Sequence, residues 1–395
     1  MRILLAHNYY QQAGGEDAVF KAEQVLLKDN GQEIFLFERN NAEIEKYSFT
    51  RKLEFFLSFD WSKRSYREFR RTLQQTKPDI VHLHNIFYLL TPSVYQAAHD
   101  EGVPVIQTQH NFRPLCANAL FFRNNEVCEK CLTASSFWPA VRYRCFKDSF
   151  FMSVVMAKML AVHKRKETWV TQVDHYIALS EFSRQKYITA GIPADKISVK
   201  PNFVSRSLPP QKNNSSYALY AGRLSEEKGI TFLLQAWNAI KDVELKVVGS
   251  GPLAGELKAF SLDRNMNQVS FAGYLSEAKL NDTIQGAQFV VVPSLCYENF
   301  PRIIVEAYSF GIPVLASRLG SVAELVKDGQ TGLTFNPADK GDLAQKVKWL
   351  KDHPQERQAM GQKARQIYEE KFTAKKNYEV LMAIYRKTIA EYKRK

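Results

Sequence analysis

The sequence predicts an α/β protein of two domains, each alternating strand and helix around a parallel sheet. Three observations carry this. At 395 residues the chain is longer than one hydrophobic core of ordinary size organises. Short apolar runs bounded by Gly, Pro or polar residues alternate with segments whose apolar residues recur at helical spacing. The alternation halts at a polar, proline-bearing stretch, residues 208–216, and restarts with a strand at Tyr217.

The composition excludes several classes. Apolar residues make up 45% and charged residues 24%, ordinary for a globular protein. No run approaches the ~20 apolar residues that span a bilayer; the best, Phe150 to Val162, is broken by Lys158. Met1 to Asn8 lacks the layout of a cleavable signal and reads as a strand, so a cytoplasmic protein is expected. A net charge of +13 asks for a polyanionic partner. No nucleic-acid motif is present, and the excess is spread along the chain, which leaves an anionic membrane surface and phosphate-bearing substrates.

In the first half, residues 1–8 form a strand and the helix from Glu16 to Leu27 follows a loop holding Gly14 and Gly15. Glycines there let backbone amides approach an anion, though the spacing is not that of a dinucleotide loop. Glu33 to Glu38 is the next strand. Residues 49–71 mix Phe and Trp with Arg and Lys, which suits either an interfacial helix on anionic lipid or core aromatics beside a solvated basic face. The strands at 79–85 and 104–111 end in His84, Asn85 and His110, where open parallel sheets place ligands.

A cysteine-bearing insertion at 112–148 follows. Cys116, Cys128, Cys131 and Cys145 could form a tetrahedral thiolate zinc site, four buried metal-free thiols, or a redox pair at the C-x-x-C. Trp138 to Lys166 reads as a helix or as core, and a strand at 174–180 leads to a helix that Ser180 can cap.

The second half opens with the strand 217–221 and then Gly222-Arg223-Leu224-Ser225-Glu226-Glu227-Lys228-Gly229. Two cations converging after a strand can hold a diphosphate and absorb charge that grows on it. The strand 244–248 runs into Gly249-Ser250-Gly251-Pro252. Around the stretch 289–306 the second half is organised: strand, breaker pair, a loop with Glu298, then Pro301 at the first helical position and Glu306 one turn on. Amides at that helix start make an anion site, flanked by a carboxylate on either side. A phosphate set between hydroxyl-rich groups, as in a nucleotide sugar, is the ligand that fits.

These motifs resemble the family 4 retaining glycosyltransferases of the GT-B fold. The resemblance rests on Glu298 and Glu306 in E-x7-E, on P-S-x-x-x-E-x-F-P, on the G-R-L-x-x-x-K-G run from Gly222 and on G-x-G-P from Gly249. Thr108-Gln109-His110-Asn111 is similar to the family's T-x-H-D/N segment. It implies two doubly wound domains facing across a cleft: 1–207 on the acceptor side, a linker at 208–216, 217–373 holding the donor, and a helix at 374–395 crossing back.

The resemblance further implies that Glu298 grips sugar hydroxyls, Glu306 the ribose, and His110 lies near the reacting carbon. Arg223, Lys228 and the amides of Asn299 and Phe300 would hold the diphosphate, aided by Gly14, Gly15 and Gly251. No divalent metal is required for such catalysis. The basic aromatic stretches point to a lipid-linked or growing surface glycan as acceptor, at the inner membrane face. A GT-B epimerase would instead release epimerised nucleotide sugar without acceptor, and a basic binding protein would show no donor chemistry.

Overall fold

The computed structural model describes residues 1–11, 14–205 and 216–394. It contains two compact units: Met1–Phe121, Glu129–Asn202 and Asn377–Lys395 in the first, Phe122–Cys128 and Phe203–Lys376 in the second. The expected linker lies outside the described residues except for Ser216, and Gln12 and Ala13 of the glycine loop lie outside them too.

The first unit's sheet is built from β1 (Arg2–Tyr9), β2 (Glu33–Asn40), β3 (Ile80–Leu83) and β4 (Val105–Thr108). A short antiparallel hairpin, β5 (Phe122–Arg123) and β6 (Glu126–Val127), precedes the sheet's last strands β7 (His175–Ala178) and β8 (Ile197–Val199). All six pair in parallel in the order β2-β1-β3-β4-β7-β8. Every residue of β3, β4 and β7 is buried, as expected of a parallel sheet covered on both faces. Strand order reverses beside β1, so β1 and β3 flank the switch point where such sheets bind ligands.

The second unit repeats the plan with β9 (Tyr217–Ala221), β10 (Glu244–Val248), β11 (Val269–Gly273), β12 (Phe289–Val292), β13 (Val314–Ser317) and β14 (Gly332–Phe335). Their order is β11-β10-β9-β12-β13-β14, again parallel, with the reversal between β9 and β12. Leu219, Val291 and Leu315 are buried at its centre, and the helices Ile230–Trp237 and Lys340–Asp352 contribute Leu233, Trp237, Leu343 and Val347 to the core.

The final helix, Ala374–Tyr392, packs Leu381, Ile384 and Tyr385 against Ile3, Leu5 and Phe20 of the first unit. Two polar contacts fix its register there. Tyr385 Oη meets His82 Nδ1 at 2.7 Å, and Asn377 Nδ2 donates to the Pro201 carbonyl at 2.7 Å.

Two helical segments differ from the sequence reading. Residues 49–71 form separate helices, Phe49–Leu57 and Lys63–Thr76. The segment 138–166 also breaks, into Trp138–Arg142 and Phe150–Arg165. Lys147 and Asp148 take left-handed backbone angles between them (φ 55° and 51°), and Ser149 caps the second helix by accepting from the Met152 amide at 3.3 Å.

Candidate active site

At the second unit's switch point, three loops leave the carboxyl edges of β9, β10 and β12 and bond to one another. The Gly222 amide donates to Val248, Leu224 to Ser250, and Leu295 to Glu227. Such close approach excludes side chains. A Cβ on Gly251 would lie 2.3 Å from the Leu224 carbonyl oxygen. One on Gly229, whose φ is +69°, would lie 1.9 Å from that of Pro293. Gly229→Ala should therefore cost roughly 1–3 kcal/mol in strain and displace Lys228. A lowered urea midpoint together with weakened donor binding is the expected result; a variant of wild-type stability would mean the loop accepts the methyl group.

The loops converge on Glu298. Its Oε1 accepts from Lys228 Nζ at 2.6 Å and from Ser294 Oγ at 2.7 Å, while Ser321 Oγ donates to its carbonyl oxygen. Glu298 is mostly buried (11% of the side chain exposed) and Lys228 about two-thirds so. Burial works against the charge on Lys228, but the Glu298 carboxylate more than offsets it and holds the ammonium above its ordinary range. Arg223 is exposed, its carbonyl fixed by a 2.7 Å bond from Tyr220 Oη.

Pro301 occupies the cap position rather than the first helical one, because its backbone is still extended (ψ 102°). The helix is Arg302–Ser309, so its leading amides belong to Arg302 and Ile303, not to Asn299 and Phe300, which are buried in the preceding loop. Glu306 lies on that helix, where Arg302 Nη2 reaches its Oε1 at 3.1 Å. Burial raises the Glu306 pKa against the opposing pull of Arg302.

In the first unit, His84 follows β3 and His110 follows β4. Their rings stack with centroids 5.0 Å apart, and His84 Nδ1 lies 2.9 Å from His110 Nε2. Burial drives both pKa values well below the ordinary histidine range, so both imidazoles are neutral. A small cavity beside them is lined by Asn85, Gln107, Gln109 and Asn111. Gly14 caps the helix Gly15–Asp29, and its amide donates to Asp17 Oδ2 at 2.9 Å. Asp17 Oδ1 also meets His7 Nε2 at 2.8 Å. Burial, and then the Asp17 charge, push the Glu16 carboxyl up to about 8.

A ligating atom from each of Glu23, His82 and His84 falls within 4.8 Å of the others, as does one from each of His7, Glu16 and Asp17. In the first group Lys200 Nζ already bonds Glu23, and Tyr385 and Thr108 engage the two nitrogens of His82. Among the described residues, neither of these two groups includes Cys116, Cys128, Cys131 or Cys145. Cys116 is buried with its thiol directed at Asn118 Oδ1, 3.0 Å away.

The structure thus brings Lys228 and Glu298 into one cluster and sets Glu306 on the adjoining helix, while Gly251 makes the backbone contact that seats the β9 loop. Sequence reasoning missed Ser294 and Arg302, which meet the Glu298 and Glu306 carboxylates, and Ser321, which donates to the Glu298 backbone carbonyl. Ser294 and Arg302 each lie four residues from a glutamate already singled out, a spacing that could have flagged them.

Twin parallel six-stranded α/β sheets, the second carrying a Lys–Glu pair at its switch point, define a GT-B transferase. The family description "Glycosyltransferase Family 4" matches residues 27–208 and "Glycosyl transferases group 1" matches 205–367. The chain belongs to the family 4 glycosyltransferases, retaining enzymes that draw a sugar from a nucleotide donor. It is similar to an uncharacterized glycosyltransferase of Methanocaldococcus jannaschii, with 22% identity over 315 residues covering 78% of this chain and 83% of that one. The D-rhamnosyltransferase WbpZ of Pseudomonas aeruginosa is 29% identical over 212 residues, 52% of this chain and 55% of WbpZ, so the match spans about half that relative's length.

Among solved structures, HepE from Anabaena in complex with UDP superposes with a TM-score of 0.69 at 17% identity, covering 97% of this chain and 99% of HepE. The lipopolysaccharide outer core galactosyltransferase WaaB gives 0.66 at 19% identity, covering 98% and 100%.

Proposed function

We propose that the chain transfers a sugar from a nucleoside diphosphate to a hydroxyl of a growing surface glycan carried on lipid, at the inner face of the cell membrane. The observation that carries the donor half is the Lys228–Glu298–Ser294 cluster at the β9/β12 switch point. A buried carboxylate beside an ammonium offers an acceptor for sugar hydroxyls next to a cation for the leaving diphosphate. Arg223, exposed at the end of β9, adds the second cation, and the Arg302 and Ile303 amides add donors. Glu306 is assigned to the ribose. His110, neutral through burial, is assigned to the donor sugar, with Gly15 toward the phosphates. Side chains and amides do the electrostatic work in this reading, so no divalent metal is invoked.

HepE was captured with UDP, and WaaB acts on lipopolysaccharide outer core. These names make uridine diphosphate sugars the first donors to try and a core oligosaccharide the first acceptor. Thermal stabilisation across a panel of nucleoside diphosphate sugars tests the donor: a ligand at a hundred times its Kd adds about 2.7 kcal/mol. If no member of the panel stabilises the protein, the donor assignment fails. A charge-assisted contact contributes roughly 1.5–3 kcal/mol, so Arg223→Ala should lower donor affinity or turnover ten- to hundredfold. Full activity in that variant would remove Arg223 from the site.

A further inference from the structure

Among the described residues, half of the large apolar side chains that stand most exposed lie on three short helices of the first unit. Phe49 is 83% exposed, Trp138 68%, Phe151 62%, Phe150 56% and Val154 38%. The others are scattered singly over both units, which is ordinary for a protein surface. This group is continuous. Phe49 and Phe56 are seven residues apart on the helix Phe49–Leu57 and so share a face. The ring of Phe56 meets that of Phe151 at 6.2 Å, and the helix Trp138–Arg142 packs on the helix Phe150–Arg165.

The charge around the group is mostly positive, with Glu54 on the helix Phe49–Leu57 and Asp148 before the helix Phe150–Arg165 as acidic exceptions. Residues 138–166 carry seven lysines and arginines and a single acidic residue, Asp148. The helix Phe150–Arg165 has no acid at all, and its exposed face passes from Phe151 and Val154 to Lys158 and Arg165. Exposed aromatics grading into cations along one helix face suit a surface that is apolar below and anionic above.

We propose that this face docks on an anionic lipid bilayer, with Phe49, Trp138, Phe150 and Phe151 seated at the boundary between headgroups and acyl chains. Lys158 and Arg165 then meet lipid phosphates. The face is argued from its own exposure and charge. It stands whether or not the acceptor is lipid-linked.

Flotation of the full chain with phosphatidylglycerol vesicles, against phosphatidylcholine vesicles, tests it. Binding should require the anionic lipid and weaken as salt is raised, since screening shortens the reach of the cations. Phe150→Ser/Phe151→Ser should reduce binding on the order of tenfold or more, and Lys158→Gln/Arg165→Gln by about fivefold per charge removed. The emission of Trp138 should shift to the blue on vesicle addition, a shift lost in Trp138→Tyr. Both altered phenylalanines are more than half exposed, so the variant should fold, and stabilisation by a donor nucleotide sugar checks that it has.

Three results would overturn the proposal. The wild type could fail to float with anionic vesicles at low salt. The serine variant could float as the wild type does. Or the wild type could pair with itself through this face in a way vesicles do not compete away. Vesicle binding without donor stabilisation would support the face while counting against the proposed function, so the two fail separately.

Discussion

Lys228→Ala should lower sugar transfer by roughly 10²–10³-fold, the effect of removing one preorganised charge stabiliser from an active site. The lysine is held 2.6 Å from Glu298, and Gly229 behind it sits where a Cβ would meet the Pro293 carbonyl oxygen. Without the ammonium, Glu298 keeps the Ser294 hydroxyl as a donor to that oxygen but loses the cation beside it. The loss should therefore appear in turnover as well as in donor affinity. Lys228→Arg should not restore it, because a planar guanidinium differs in shape and reach from an ammonium. Glu298→Gln should also be severe, and the double variant should be less than additive, because the two residues act as one unit. A Lys228→Ala enzyme within threefold of wild type would place the reacting charge elsewhere.

The parts of this molecule that were legible in the sequence are those whose chemistry is local. Arg223 to Gly229 is one loop after one strand, and Glu298 to Glu306 is one loop and helix after another, so strand pattern and spacing located them. The alternation that predicted two parallel sheets is also local: β12 and β13 are buried along their whole length and read as largely apolar runs, while β3 and β4 open on apolar pairs before their polar residues. What escaped was of two kinds. Backbone angles set by packing were invisible: Pro301 is extended rather than helical, and the Lys147–Asp148 break has no Gly or Pro to announce it. Pairings across long sequence separations were invisible as well. Ser321 bonds the Glu298 carbonyl from 23 residues away, and Tyr385 meets His82 across 303.

The largest stability effect should come from the least visible of those pairings. Lys200 is fully buried just beyond β8, and its ammonium lies 3.2 Å from Glu23 Oε2 and 3.2 Å from Asn377 Oδ1. Glu23 is equally buried on the helix Gly15–Asp29, and its other oxygen sits 3.4 Å from His82 Nδ1. That imidazole is neutral, because burial lowers its pKa to about 4 despite the nearby carboxylate, with the Lys200 charge adding to the lowering; once Lys200 is gone it can replace the cation only by taking up a proton against its burial. Lys200→Met should then strand a carboxylate in the core, a change that costs about 3–5 kcal/mol, and release Asn377 at the start of the final helix. The urea midpoint of the first unit should fall with little change in slope. Replacing both partners, as Lys200→Met with Glu23→Gln, should recover most of the loss, because what destabilises is the unpaired charge rather than the missing bond. A Lys200→Met protein that loses less than about 1 kcal/mol would show that water reaches Glu23, and that the C-terminal helix is held by Leu381, Ile384 and Tyr385 without help from this ion pair.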